Sequence, residues 1–340
     1  MATQQHDGGV PFAIAASAQK LQLLELSADV AALLDAPNPP RLSIKSGAPT
    51  SNRPAYAVLC TPNKTFHLRQ VQTSNSLFVT QPQYLDSHGN DIPVPATCAV
   101  ASCPNTLELH PSDASAVDLL HEALPVYDIV AGDVDATGNG KSKDAIFDNL
   151  PLSDAQCQAG WNELMAFELD EDTYRPSVNA LSQVWRSINA AALAEGVRLD
   201  SQFLTEDMAT AVAEDGHPSS FAKAVLRHLS NDEQDAAGPW SCLDRARTVA
   251  FVGKTLLEAK QGSSDFLIVD FTDTWEDRLP EAWRKDAKLS AIEGSYEFPS
   301  DTTIRVKSKD AAVANVQDTN AATKPSARKW HEKFAKTRKK

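Results

Sequence analysis

The chain contains no run of about 18 consecutive apolar residues, so no membrane-crossing helix is expected. Nor does positive charge precede the short apolar stretch Pro11-Phe12-Ala13-Ile14, so no secretory signal is expected. Cysteine is scarce, at five residues: Cys60, Cys98, Cys103, Cys157 and Cys242. None forms a C-x-x-C, and an odd number without an export signal reads as reduced thiols in an intracellular compartment. The eight histidines are scattered, and none pairs with another His or a Cys at metal-ligand spacing. No nucleophile elbow, G-x-G-x-x-G or zinc motif is present. These absences lead to the expectation of a non-enzyme with no cofactor and no metal.

What is present is ordinary for a globular chain: 340 residues, 42% hydrophobic and 23% charged. That length suits two or three domains, or one domain followed by small repeated modules. The net charge of -13 hides an asymmetry. Residues 324–340 carry eight Lys/Arg and one acid, leaving -20 on the preceding 323 residues. An acidic body with a basic end suggests a polyanion contact or a nuclear address.

Residues 1–104 read as β-rich. Leu42 and Ile44 alternate with Arg41, Ser43 and Lys45, the period-two pattern of a half-buried strand. Further strands are expected at 55–60, after a Thr61-Pro62-Asn63-Lys64 turn at Phe66 and Leu68, and at 76–80. One helix, capped by Ser27 with Asp29 in its first turn, presents Val30, Leu33 and Leu34 and stops before Pro37. From residue 105 the rhythm becomes helical. Ser112 is placed to cap a helix bearing Val117, Leu119, Leu120 and Leu124; Ile146, Phe147 and Leu150 mark a second. Ser153 and Asp154 open a third, with Cys157, Trp161, Leu164 and Met165 inward, ahead of a strand at 167–169. A similar order recurs in helices at 176–195, 204–213 and 219–229, then at 243–259 and 271–279. The latter ends in a hairpin over 290–306 turning at 299–301. The expected divisions are therefore 1–104, 105–176, 177–240, 241–307, and a linker with a basic tail at 308–340.

Two decoys fall near residue 140. Gly140-Lys141-Ser142 ends like a phosphate-binding loop, but Asp135 stands where G-x-x-x-x-G-K-[ST] needs its first glycine. Asp133, Asp135, Thr137 and Asp144 mimic a calcium loop, but the twelfth position requires Glu rather than Asp. The triplet Asp170-Glu171-Asp172 reads as a solvated wing or turn. The helix at 154–167 has no Lys or Arg and cannot neutralise phosphate, whereas Lys223 and Arg227 lie four apart on one face of a later helix. In the tail, Arg328, Lys329, Lys333, Lys336, Arg338, Lys339 and Lys340 interleave with Trp330 and Phe334. A nuclear localisation signal, a phosphate-contacting arm and a helix docked by its aromatics all remain open there.

A succession of N-terminal segments is more specific than composition. Leu23-Leu24-Glu25-Leu26, Leu42-Ser43-Ile44-Lys45-Ser46-Gly47 and Ala57-Val58-Leu59-Cys60-Thr61 occur in order. They lead into Lys64-Thr65-Phe66-His67-Leu68-Arg69-Gln70-Val71 and Thr73-Ser74-Asn75-Ser76-Leu77. With Leu107-Glu108-Leu109, taken as opening the helical half, and Phe271-x-x-x-Trp275-x-x-x-Leu279-Pro280, this order resembles the sister chromatid cohesion protein Dcc family over residues 21–300. The resemblance implies an α+β fold: a β-rich, barrel-like N-terminal domain completed by partner subunits, then tandem winged-helix modules. It implies a nuclear, non-catalytic subunit of the cohesion-specific replication factor C clamp loader, acting in DNA replication. Its partners would be the other loader subunits, polymerase epsilon, PCNA indirectly, and DNA without sequence preference, with no membrane.

On this reading the candidate assembly residues are Leu24, Leu26, Leu42, Ile44, Val58, Leu59, Phe66, Leu68 and Leu77. The candidate nucleic-acid residues are Lys223, Arg227 and the tail set Arg328, Lys329, Trp330, Lys333, Lys336, Arg338, Lys339 and Lys340. Two other readings stand beside it. A TFIIF-like subunit of an RNA polymerase would also use a barrel and winged helices, and a P-loop NTPase would be built around Gly140-Lys141-Ser142.

Overall fold

Among the described residues up to 111, seven strand and helix segments are arranged around one long ribbon. The structure is a computed structural model, and it describes residues 11–47, 49, 55–85, 94–129, 140–231, 238–260 and 265–307. Strands β1 (Phe12–Ile14) and β2 (Leu23–Leu24) precede helix α1 (Ala28–Leu34), followed by β3 (Ser43–Ser46), β4 (Ala57–Cys60), β5 (Thr65–Leu85) and β6 (Val94–Pro111). The sheet order is β1-β6-β5-β4-β3, with β2 also on β6, and the sheet curls into half a barrel. β1 and β2 run parallel to β6, while the other pairings are antiparallel.

The chain packs as two units, residues 1–180 with 204–241 and residues 181–203 with 242–340. In the first, β4 is buried on both faces, because its side chains alternate between two sides of the sheet. Leu59, opposite Phe66, faces Val30 of α1 with Leu42, Leu68 and Leu109 packed around them. Val58, opposite Lys45, faces the other way. The turn before β5 forms as the sequence suggests, the Thr61 amide donating to the Lys64 carbonyl.

The ribbon runs further than its sequence implied. Leu107, Glu108 and Leu109, taken as opening the helical half, lie in β6 opposite Gln70, Arg69 and Leu68. Ser112, the residue after β6, is still tied to the sheet, its amide donating to the Thr65 carbonyl. The cap of the next helix, α2 (Ala116–Ala123), is instead Ser115, whose hydroxyl accepts from the Asp118 amide. Ser27 sits at the N-cap of α1 without making a side-chain cap bond.

After α2 come β7 (Val126–Tyr127), α3 (Lys143–Asn149), α4 (Asp154–Glu163), β8 (Phe167–Leu169) and β9 (Asp172–Pro176), with sheet order β7-β9-β8. Leu120, Ile146, Phe147, Leu152, Cys157 and Trp161 are buried together. Gly160 allows α4 to approach α2, since a Cβ there would stand 2.9 Å from that of Ala116. Met165, expected inside α4, instead follows its C-cap in a left-handed conformation (φ 52°), with its side chain still buried. Two of the acidic triplet make the turn: Asp170 and Glu171 both have positive φ, the conformation that joins two tightly paired strands, and Asp172 opens β9.

Helix α5 (Val178–Glu195) passes from one unit to the other after residue 180, and the chain re-enters the first unit at Leu204, within β10 (Phe203–Leu204). There α6 (Thr205–Glu214) and α7 (Ser219–Leu229) pack on each other, followed by β11 (Trp240–Ser241). Phe221 of α7 stacks on Phe167 at 4.8 Å between ring centres.

The second unit holds most of α5, then α8 (Arg245–Ala259), β12 (Phe266–Leu267), α9 (Ile268–Asp277), two 3-10 turns, β13 (Tyr296–Ser300) and β14 (Thr303–Val306). Its sheet order is β12-β14-β13. The hairpin is shorter than expected because residues 289–292 form a 3-10 turn that buries Ile292. Phe271 and Trp275 are fully buried, and the Trp275 indole donates to the Val249 carbonyl at 3.0 Å. The segments read as a linker and a basic tail lie outside the described residues.

Candidate functional site

The nine assembly residues divide by burial. Val58, Leu59 and Phe66 are buried, and Leu42 and Leu68 pack against that core, so these five hold the domain together. Leu24, Leu26, Ile44 and Leu77 are exposed, Ile44 at 69% and Leu77 at 54%. Ile44 points to the same side of the sheet as Leu59, but β3 is the last strand and no described side chain closes over it.

The ribbon extends the apolar surface to residues the sequence reading missed. Phe12, Ile14, Phe78 and Tyr84 are all exposed, and the Phe12 and Phe78 rings meet edge to face at 6.5 Å. β4 pairs with β5 only over residues 65–67, so from Leu68 onward β5 has β6 on one side and no described strand on the other. Phe12 and Ile14 share the period-two signature of a strand, and that was the available signal. What placed them beside Phe78 is parallel pairing of β1 with residues 97–99, about which local sequence carries no information.

A polar joint, also absent from the sequence reading, ties β3 and β5 to α3 and α4. The Lys45 ammonium donates to the carbonyls of Phe147 (3.0 Å) and Leu152 (2.9 Å) and meets the Asp154 carboxylate at 3.1 Å. The Thr65 hydroxyl accepts from the Ser153 amide (2.8 Å) and donates to Gln156 Oε1 (2.7 Å). Ser153 caps α4 and also donates to Gln156. Burial raises the pKa of the Cys60 thiol and pushes that of Cys157 up to about 11, which favours the neutral thiol over the reactive thiolate.

Around Gly140 the backbone amides are occupied by the chain itself. The Gly140 N–H donates to the Asp172 carboxylate and the Lys143 N–H to Glu168 Oε1 at 2.8 Å, while Ser142 caps α3. A phosphate-binding loop needs such amides free to face its ligand. Asp133, Asp135 and Thr137 of the calcium-like pattern lie outside the described residues.

Of the nucleic-acid candidates, Lys223 lies 2.7 Å from the Glu206 carboxylate of α6, which compensates its charge. Arg227, one turn on, is exposed. His228 is turned inward, its Nδ1 donating to the Asn162 carbonyl at 3.2 Å. Arg328, Lys329, Trp330, Lys333, Lys336, Arg338, Lys339 and Lys340 lie outside the described residues.

The half-barrel from β2 onward and the helical segments that follow it fall within residues 21–318, which match the family model for sister chromatid cohesion protein Dcc1. The chain belongs to the Dcc1 family. Membership gives it a role in sister chromatid cohesion. The comparison with curated proteins found no match. Two features stand outside the matched region. One is β1, with Phe12 and Ile14; the other is the basic segment from Lys324 onward. Both therefore belong to this chain rather than to what the Dcc1 family model describes.

Proposed function

We propose that this Dcc1-family chain is a non-catalytic nuclear subunit of the cohesion-specific replication factor C clamp loader. It links the PCNA loader to polymerase epsilon and to DNA. The observation that carries the proposal is the uncovered edge of β5 with the exposed apolar residues Ile44, Leu77, Phe78 and Tyr84. A long sheet edge without a covering element invites pairing with another chain. Partner strands added there would complete the half-barrel, and assembly would shield the exposed side chains.

The helical segments serve as winged-helix modules on this reading. Its support is the shared order of β7-β9-β8 and β12-β14-β13, each a lone strand, then helices, then a hairpin whose second strand lies in the middle. The absence of an ATPase activity of its own is supported by the engagement of the Gly140 and Lys143 amides by Asp172 and Glu168.

Affinity purification of the full chain, followed by mass spectrometry, tests the assignment. Recovery of clamp-loader subunits and polymerase epsilon is the expected result. Recovery of RNA polymerase subunits would favour the TFIIF-like reading, which the barrel and wings also suit. ATP turnover by the purified chain that disappears in Lys141→Ala would end the non-catalytic reading.

A further inference from the structure

One face of α5 carries Ser182, Trp185, Arg186 and Asn189 at helical spacing, and it meets the end of α9. The carbonyl of Arg278, the C-cap of α9, accepts from the Trp185 indole at 2.9 Å and from the Asn189 amide at 3.5 Å. The Arg278 guanidinium donates to the Ser182 hydroxyl at 2.6 Å. Ser182 and Arg186 are one turn apart on this face, which puts Arg186 near enough for its charge to act on Arg278. Burial and the positive charge of Arg186 both disfavour the charged form of Arg278. Among the described residues no carboxylate lies within ion-pair distance of either arginine.

Arginine stays protonated in proteins, so the half-buried Arg278, without a counter-charge and with the charge of Arg186 nearby, is in an unfavourable position that an anion relieves. The backbone of Arg278 is pinned by Trp185, which is itself buried, so the cation cannot easily swing away.

We propose that Ser182, Arg186 and Arg278 form a binding site for a phosphomonoester carried by a protein segment, a phosphoserine or phosphothreonine. Two charges match two guanidinium forks, and a phosphomonoester carries nearly two negative charges at neutral pH. A nucleic-acid backbone fits less well. Its diesters carry one charge each, and binding it requires a tract of cations. Over residues 181–203 and 242–307 the chain has twelve Lys/Arg against fourteen Asp/Glu, which repels an extended polyanion.

Thermal unfolding of the full chain with O-phospho-L-serine, against L-glutamate at matched ionic strength, tests the site. At tenfold excess over its dissociation constant the phosphoserine should raise the midpoint by about 2 °C, and glutamate should leave it unchanged. Arg186→Gln, at an exposed position, should keep the ligand-free midpoint and lose the shift; Arg278→Lys should weaken it. No phosphoserine-specific shift in the parent chain overturns the proposal, as does an undiminished shift in Arg186→Gln. In parallel, binding of a short single-stranded oligonucleotide is measured in both proteins. Equal affinity is expected, and a tenfold loss in Arg186→Gln would reassign the pair to nucleic acid and overturn the phosphopeptide site.

Discussion

Lys45 of β3 and Asp154 of α4 are 109 residues apart in sequence and 3.1 Å apart in space. The two partners are unequal: the Lys45 side chain is 9% exposed and that of Asp154 79% exposed. The carboxylate is therefore well screened, and the cation's firmer partners are the carbonyls of Phe147 and Leu152. A buried acceptor left without a donor costs about 1–3 kcal/mol, whereas an exposed ion pair is worth about 1 kcal/mol or less.

Lys45→Met should accordingly destabilise the first unit by about 2–3 kcal/mol, and Asp154→Ala by about 1 kcal/mol or less. Urea unfolding of the two full-length variants, followed by far-UV circular dichroism, measures the difference. Equal losses would mean that the ion pair, not the carbonyl contacts, holds the joint.

In the second unit, a Cβ at Gly253 would stand 2.6 Å from ring atoms of Trp275, which is fully buried. Gly253→Ala should therefore destabilise by overpacking, about 1–3 kcal/mol, despite the better helix propensity of alanine. Gly196 offers the contrast. Nothing lies within 4 Å of its Cβ position, but its φ is +65°, so Gly196→Ala should cost about 1 kcal/mol through backbone strain alone. Near-UV circular dichroism should separate them: the tryptophan signal changes in Gly253→Ala and persists in Gly196→Ala.

Stability should fall on acidification because of His217, just before α7. Its Nδ1 is buried without a partner among the described residues, and burial lowers its affinity for a proton, opposed in part by Asp215. A depressed folded-state value means that the unfolded chain takes up the proton first. The His217 contribution is thus intact above the ordinary histidine value near 6.5 and is lost as pH falls below it. His217→Gln should flatten the pH dependence of the denaturation midpoint between pH 7 and 5.5. A slope equal to that of the parent chain would place the dependence elsewhere.

Assembly and folding should separate by mutation within the half-barrel. Ile44→Asp and Leu77→Asp place charges at exposed positions and should leave the fold intact while preventing copurification with partner subunits. Leu68→Asp, packed beside Leu59 and Phe66, should instead reduce the yield of folded protein, since it introduces an unpaired charge into the core. If Ile44→Asp and Leu77→Asp assemble normally, the exposed edge is not where partners bind.

The tail prediction rests on charge alone. If about four of its cations neutralise phosphates, the log-log salt slope of duplex binding should be about -3.6, and deletion of residues 324–340 should remove most of it. Trp330→Ala should weaken single-strand binding more than duplex binding, by about 1–3 kcal/mol per stacked base. Unchanged affinity after deletion would leave the tail as an address signal rather than a DNA arm.

Period and capping are local properties, and they determined much of the secondary structure. Ser153 before an apolar helical face, Ser219–Leu229 as a helix, and the Thr61-Pro62-Asn63-Lys64 turn were all legible because each depends on neighbours within a few residues. The ordered N-terminal segments identified the family, since their succession carries information that composition does not. Burial was another matter. Leu59 and Ile44 look alike as apolar strand residues, yet one is buried and the other exposed, because β4 is interior and β3 is the last strand of the sheet. β6 continued past residue 104 because Leu68, Arg69 and Gln70 supplied partners across the ribbon. Lys45 read as a solvent-facing strand residue until α3 and α4 brought two carbonyls to it. Contacts between residues dozens of positions apart are set by chain topology, so their energies leave no periodic trace; only the tertiary structure decided which apolar residues form core and which remain open to a partner.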